Sequence, residues 1–75
     1  MENEMRYQIN YAPLWKLMID RRMMVSDLSK QTKISHQTLA KMKKTNCSVT
    51  LETLLRICTV LQCRIEDVVV FEREK

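Results

Sequence analysis

Not one glycine occurs among the 75 residues, and Pro13 is the only proline. Glycine reaches positive φ without steric cost, and together with proline it makes most tight turns. A chain without it must turn on Asn, Ser, Thr or Lys, so helices should dominate. The length allows one domain, here residues 1–75, with a core near the lower limit for independent folding. A hydrophobic content of 45% is enough for such a core and excludes a disordered chain. No apolar run reaches about 18 residues, so no membrane span is predicted. The polar, acidic start MENEMRYQ is not how an export signal begins, and the expected location is the cytoplasm. Three cysteines in that compartment are expected as free thiols. The single histidine, His36, is far in sequence from Cys58 and Cys63, so neither a metal site nor a cofactor is expected.

The apolar spacing supplies the elements. Pro13 suits the first turn of a helix, where its missing N–H costs nothing. Behind it Leu14, Leu17 and Met18 recur at helical spacing, with Trp15 and Ile19 widening the arc. A second helix is predicted across VSDLSKQT, residues 25–32, with a narrow inner side of Val25, Leu28, Ser29 and Thr32. Its two small hydroxyl residues suit close packing against another helix. A third helix covers 36–43, capped by Ser35. On a helical wheel Thr38, Leu39 and Met42 share one arc, while His36, Gln37, Ala40, Lys41 and Lys44 share the other. A fourth begins after Thr50, a hydroxyl cap, with Glu52 in its first turn. Its core side is read as Leu51, Leu54, Leu55, Ile57, Cys58 and Leu61. A last helical turn is predicted at IEDVV. The alternation in RYQINY and the β-branched run VVVFERE predict that the two ends pair antiparallel as a small ribbon.

Charge is unevenly spread. The net charge is +4, but residues 16–44 hold eight basic residues against two acidic ones, and both flanks are slightly acidic. A basic middle between acidic ends fits either a surface for polyanions or a solvated lysine-rich face. Catalysis is not expected. There is no glycine-rich phosphate loop, no nucleophile with a plausible base, and no carboxylate pair beyond the adjacent Glu66 and Asp67, whose side chains diverge.

Two short helices around the tight turn Lys33-Ile34-Ser35, the second with one clean polar face, make a helix-turn-helix candidate. The stretch VSDLSKQTKISHQTLAKM resembles the helix-turn-helix of Cro/CI-type repressors, through Leu28, Ser29, Ile34, Leu39 and Met42. VTLETLLRICTVLQCRIEDVVVF is similar to the tail of a compact, stand-alone branch of that family of bacterial regulators. The resemblance spans residues 12–71, with the helix-turn-helix at 25–43. It implies an all-α, five-helix bundle, to which the two-stranded ribbon would be added. Two positions depart from the family pattern. Lys33 stands where the turn usually has glycine, which costs on the order of 1 kcal/mol. Met24 and Val25 stand where a Ser or Thr cap and a phosphate-touching glutamine are usual, leaving Ser26 or Lys30 to take over that contact.

The resemblance implies that the third helix enters the major groove of double-stranded DNA, with His36, Gln37 and Lys41 as base readers. Gln37 can grip adenine through two bonds, and Lys41 can donate to guanine. His36 fits a base contact, a phosphate contact or a merely exposed position. The expected phosphate contacts are Ser35, Thr38, Lys43, Lys44 and Asn46, with Lys30 and Arg22 as outlying members. The implied function is a sequence-specific, nucleoid-associated transcriptional regulator, in the repressor mode, acting as a homodimer joined through the C-terminal segment. The alternative is an antitoxin-like or accessory module that binds a protein partner first and DNA second. Cys58 and Cys63 match family positions that carry packing cysteines. Cys47 is expected exposed in a loop, where a redox role is the alternative to an inert thiol.

Overall fold

The computed structural model of the chain describes residues 7–44 and 46–73. Arg6 and Glu74, included in the two predicted strands, lie outside them. In chain order the elements are strand β1 (Tyr7–Asn10), helices α1 (Ala12–Asp20), α2 (Val25–Thr32), α3 (His36–Lys41) and α4 (Leu51–Leu61), a 3-10 turn (Ile65–Asp67), and strand β2 (Val70–Arg73). Four α-helices and a two-stranded sheet therefore replace the all-α, five-helix bundle expected from the sequence. The fifth helix shrinks to one turn. The Asp67 carboxylate accepts from the Arg64 N–H at 3.1 Å, closing the turn. The Val68 carbonyl accepts from the Leu14 N–H at 3.2 Å, so it is taken by another helix rather than continuing its own. The β-branched residues that follow run out into β2, which pairs antiparallel with β1 in the register Tyr7↔Arg73 to Asn10↔Val70.

Leu14, Leu28, Leu39, Met42, Ile57, Leu61 and Val68 are fully buried and form the centre of one core. Each such side chain contributes about 1.5–3 kcal/mol by leaving water. The arcs are narrower than their sequence implied. Ile19 of α1 is 76% exposed, and Leu51 and Leu55 of α4 are 78% and 65% exposed. Packed chiefly against α2, α4 buries the Leu54–Ile57–Leu61 row and turns its Leu51–Leu55 row outward.

Without glycine, the left-handed turns fall to Arg22, Lys33, Asn46 and Gln62, at φ between 52° and 66°. Lys33 and Asn46 are residue types expected there; Arg22 and Gln62 are not. Both of the latter close Schellman ends. Met23 N–H bonds the Met18 carbonyl and Arg22 N–H that of Ile19; Cys63 and Gln62 repeat the pattern on Cys58 and Thr59. The Arg21 guanidinium also donates to the Leu61 carbonyl, tying the ends of α1 and α4 together. Gln62 makes no side-chain hydrogen bond among the described residues. Gln62→Gly should therefore remove about 1 kcal/mol of backbone strain, partly offset by a freer unfolded chain. A rise in Tm of about 2–5 °C in a thermal melt is expected, and an unchanged or lower Tm would contradict a strained turn.

Two protonated groups couple the fold to alkaline pH. Tyr11 is 2% exposed and donates its hydroxyl to the Cys47 carbonyl at 2.7 Å; burial, then the neighbouring Cys47, raises its pKa. Burial and the adjacent Cys58 thiol push Cys63 from 9.0 up to about 11. In each case the unfolded chain loses its proton first, so their contribution is complete below the unfolded value and disappears as pH rises through the folded one. Thermal stability should fall between about pH 9 and about pH 11. Cys63→Ala should flatten that decline in melts taken across the range; an equally steep decline would remove Cys63 as its source.

Candidate nucleic-acid interface

The helix-turn-helix is joined by hydroxyl groups. Thr32, 5% exposed, donates to the Leu28 carbonyl at 2.6 Å and accepts from the Ile34 N–H at 3.2 Å. Ser29 donates to the Ile34 carbonyl at 2.5 Å. The small residues on the inner side of α2 thus hold the turn's backbone as well as allowing close approach. Lys33 takes the left-handed conformation where a glycine was the usual residue, and its N–H caps Ser29 at 2.8 Å. At the other end of α2, no hydroxyl cap is needed. Asp27 reaches back to accept from the Met24 N–H at 3.3 Å, half of a capping box, and its charge favours the helix dipole.

The third helix, α3, has only six residues and is held at both ends. Ser35 caps it, accepting from the Thr38 N–H at 3.1 Å and donating to the Thr38 hydroxyl at 3.0 Å. Leu39 is 0% exposed and Met42, just past the helix, is 1% exposed. His36, Gln37, Ala40 and Lys41 are all exposed, so one unobstructed face carries an imidazole, a carboxamide and an ammonium around a small residue. These are the three predicted base readers, and the structure brings them together.

The predicted phosphate set divides. Lys43 and Lys44 are exposed in the turn that follows α3, and Lys30 is exposed in the last turn of α2. Thr38 is half-buried, with its own hydroxyl hydrogen still available after accepting from Ser35. Ser35 uses its hydroxyl within the helix cap. Asn46 is engaged with β1: its N–H donates to the Ile9 carbonyl at 2.6 Å, and its side-chain oxygen accepts from the Ile9 N–H at 3.3 Å. Arg22 is exposed in the left-handed turn after α1, outside the helix-turn-helix. Among the described residues, the ion pairs are Arg56 with Glu52 and Arg64 with Glu66, on α4 and the 3-10 turn. Cys47, expected exposed, is half-buried.

One contact was missed from the sequence. Trp15 of α1, read there as core filler, donates its indole N–H to the Met42 carbonyl at 3.3 Å. Its ring lies 5.4 Å from the Lys43 ammonium. The signal was available, since a half-buried indole N–H needs an acceptor; which acceptor depends on tertiary packing.

An exposed polar helix face braced by a preceding helix across a tight turn defines a helix-turn-helix protein. Residues 13–74 match the Cro/C1-type HTH DNA-binding domain, and the chain belongs to that family. Its whole length is similar to a crystal structure of the transcriptional regulator VanUg, with 35% identity, 99% of each chain covered and a TM-score of 0.83. No curated protein matches the chain significantly. No helix among the described residues is long and apolar enough to cross a membrane.

Proposed function

We propose that the chain is a sequence-specific transcriptional regulator, a repressor in mode, that lays α3 in the major groove of its operator. The observation that carries this reading is the single uncovered face of His36, Gln37, Ala40 and Lys41, opposite the buried Leu39 and Met42. Gln37 takes an adenine edge and Lys41 a guanine edge, with His36 beside them on a base or phosphate. Thr38, Lys43, Lys44 and Lys30 hold phosphates on either side, and Arg22 lies at the margin. Ser35 and Asn46 assist indirectly, the first by capping α3 and the second by fixing the loop behind it.

One α3 reaches only a few base pairs, so useful specificity needs two copies on two half-sites about one helical turn apart. The surface beyond α4 fits that role. Leu51, Leu55, Ile65 and Phe71 are 78%, 65%, 46% and 69% exposed, and two shallow apolar grooves along them share Ile65. Asn46 covers β1, whereas all four residues of β2 are exposed. A second copy paired through this face would bury the patch twice about a two-fold axis.

The test is selection of bound sites from random duplex DNA near physiological salt. Two inverted half-sites about one turn apart are expected, with affinity falling about 10³-fold or more between 50 and 200 mM salt if six or more phosphates are neutralised. Weak, sequence-blind binding together with a stoichiometric co-purifying protein would instead favour the accessory-module reading.

A further inference from the structure

We infer that Trp15 is a positioning residue for the DNA-facing surface, acting through Lys43 and the exit of α3; this rests on the function proposed above. Three observations meet at its indole. The N–H donates to the Met42 carbonyl, the residue that ends α3, at 3.3 Å. The ring lies 5.4 Å from the Lys43 ammonium, a cation–π distance. The ring itself is half-buried and packs against the core from α1, so it is a fixed platform.

The need for such a platform follows from the size of α3. A helix of six residues has little stability of its own; the N–H groups of Met42, Lys43 and Lys44 take its last carbonyls, and the indole takes the carbonyl of Met42, with which that closing turn begins. Ser35 secures the start and Leu39 the middle; Trp15 secures the end from a separate element. Lysine is also a long, freely rotating side chain that loses rotamer entropy when it contacts a phosphate. An ammonium already drawn toward an aromatic face has lost part of that freedom in the unbound protein. Lys43 is exposed, so an ammonium drawn toward the indole can still meet a phosphate oxygen, and the two attractions are compatible. Trp15 therefore sets where Lys43 stands before DNA arrives, and the α1 side chain becomes part of the binding surface without touching DNA.

The inference predicts coupling rather than mere loss. Duplex binding is measured against salt for the wild type, Trp15→Leu, Trp15→Phe, Lys43→Ala and the double variant Trp15→Leu/Lys43→Ala, each checked by thermal melting. Lys43→Ala should weaken binding on all sequences and lower the slope of log K against log salt by about 0.9, the value of one phosphate. Trp15→Leu should weaken binding about three- to tenfold, the scale of one cation–π or hydrogen-bond contact. Trp15→Phe, which keeps a ring but no N–H, should fall between. The double variant should bind about as well as the weaker single variant. Independent, multiplicative losses would overturn the inference.

A second measurement needs no change at Trp15, which is the only tryptophan in the chain. Indole emission should change when DNA binds the wild type, and that change should be much smaller in Lys43→Ala at saturating DNA. An equal change in both proteins would also overturn it. Failure of the wild type to bind any duplex would instead strike the proposed function, so the two failures are distinguishable.

Discussion

Leu39→Ala is expected to lower the Tm by more than about 10 °C and to abolish specific DNA binding near 37 °C. Leu39 is 0% exposed and is the only residue buried within α3. Truncating a fully enclosed leucine costs about 3–5 kcal/mol, from lost transfer energy and the cavity left behind. A domain of this size has only about 4–11 kcal/mol in total. Each kilocalorie lost shifts the midpoint of a domain this small by about 4–8 °C. The binding deficit should exceed the stability deficit, since the cavity opens directly beneath His36, Gln37 and Lys41. Circular dichroism melts and binding assays on the same preparations separate the two effects. A Tm within a few degrees of the wild type would mean that α3 is anchored by something other than its leucine.

The second large effect is on recognition. Combining Gln37→Ala with Lys41→Ala should reduce the preference for the selected site over random duplex by about 10²-fold or more, at about 1–3 kcal/mol per base contact. Both side chains are exposed, so the melting curve should hardly move. Affinity for random DNA should fall much less, by the loss of one charge at Lys41. Lys43→Ala is the matched control: it removes a charge from the same end of α3 and should leave the preference intact. Competition of labelled operator against random duplex at fixed salt gives the ratio directly. If the double variant and the control lose affinity alike on every sequence, the readers are elsewhere on the surface.

How far the residues alone carry the fold and the site depends on the range of the interaction involved. The α3 face was legible because it depends only on 3.6-residue spacing and a cap, as the exposures of residues 36 to 42 show. The turn was legible through Ile34 and the small Ser29, although the hydroxyl bonds of Thr32 and Ser29 to its backbone were not foreseen. The ribbon followed from alternation in RYQINY and the β-branched run VVVFERE, and its pairing is antiparallel as expected. What failed was decided at long range. IEDVV was read as one helical turn and forms one, but the fifth helix that the resemblance implied does not develop: the Val68 carbonyl is taken by the N–H of Leu14, more than fifty positions earlier. Leu51 and Leu55 have core chemistry on the wheel, but packing of α4 chiefly against α2 leaves that row outside. The hold of Asn46 on β1 was likewise not legible, since its partner Ile9 lies 37 positions away.

The pairing of β1 with β2 also bears on the order of assembly. Asn10 and Glu72, joined at 2.9 Å across the ribbon, are 62 positions apart in the chain. Closing so long a loop carries an entropic cost that must be met before the contact contributes anything, whereas α2, α3 and their turn involve only near neighbours. The helical centre, including the exposed face of α3, is therefore expected to organise early. The two ends would then zip together late, locking around a unit already shaped to meet its target.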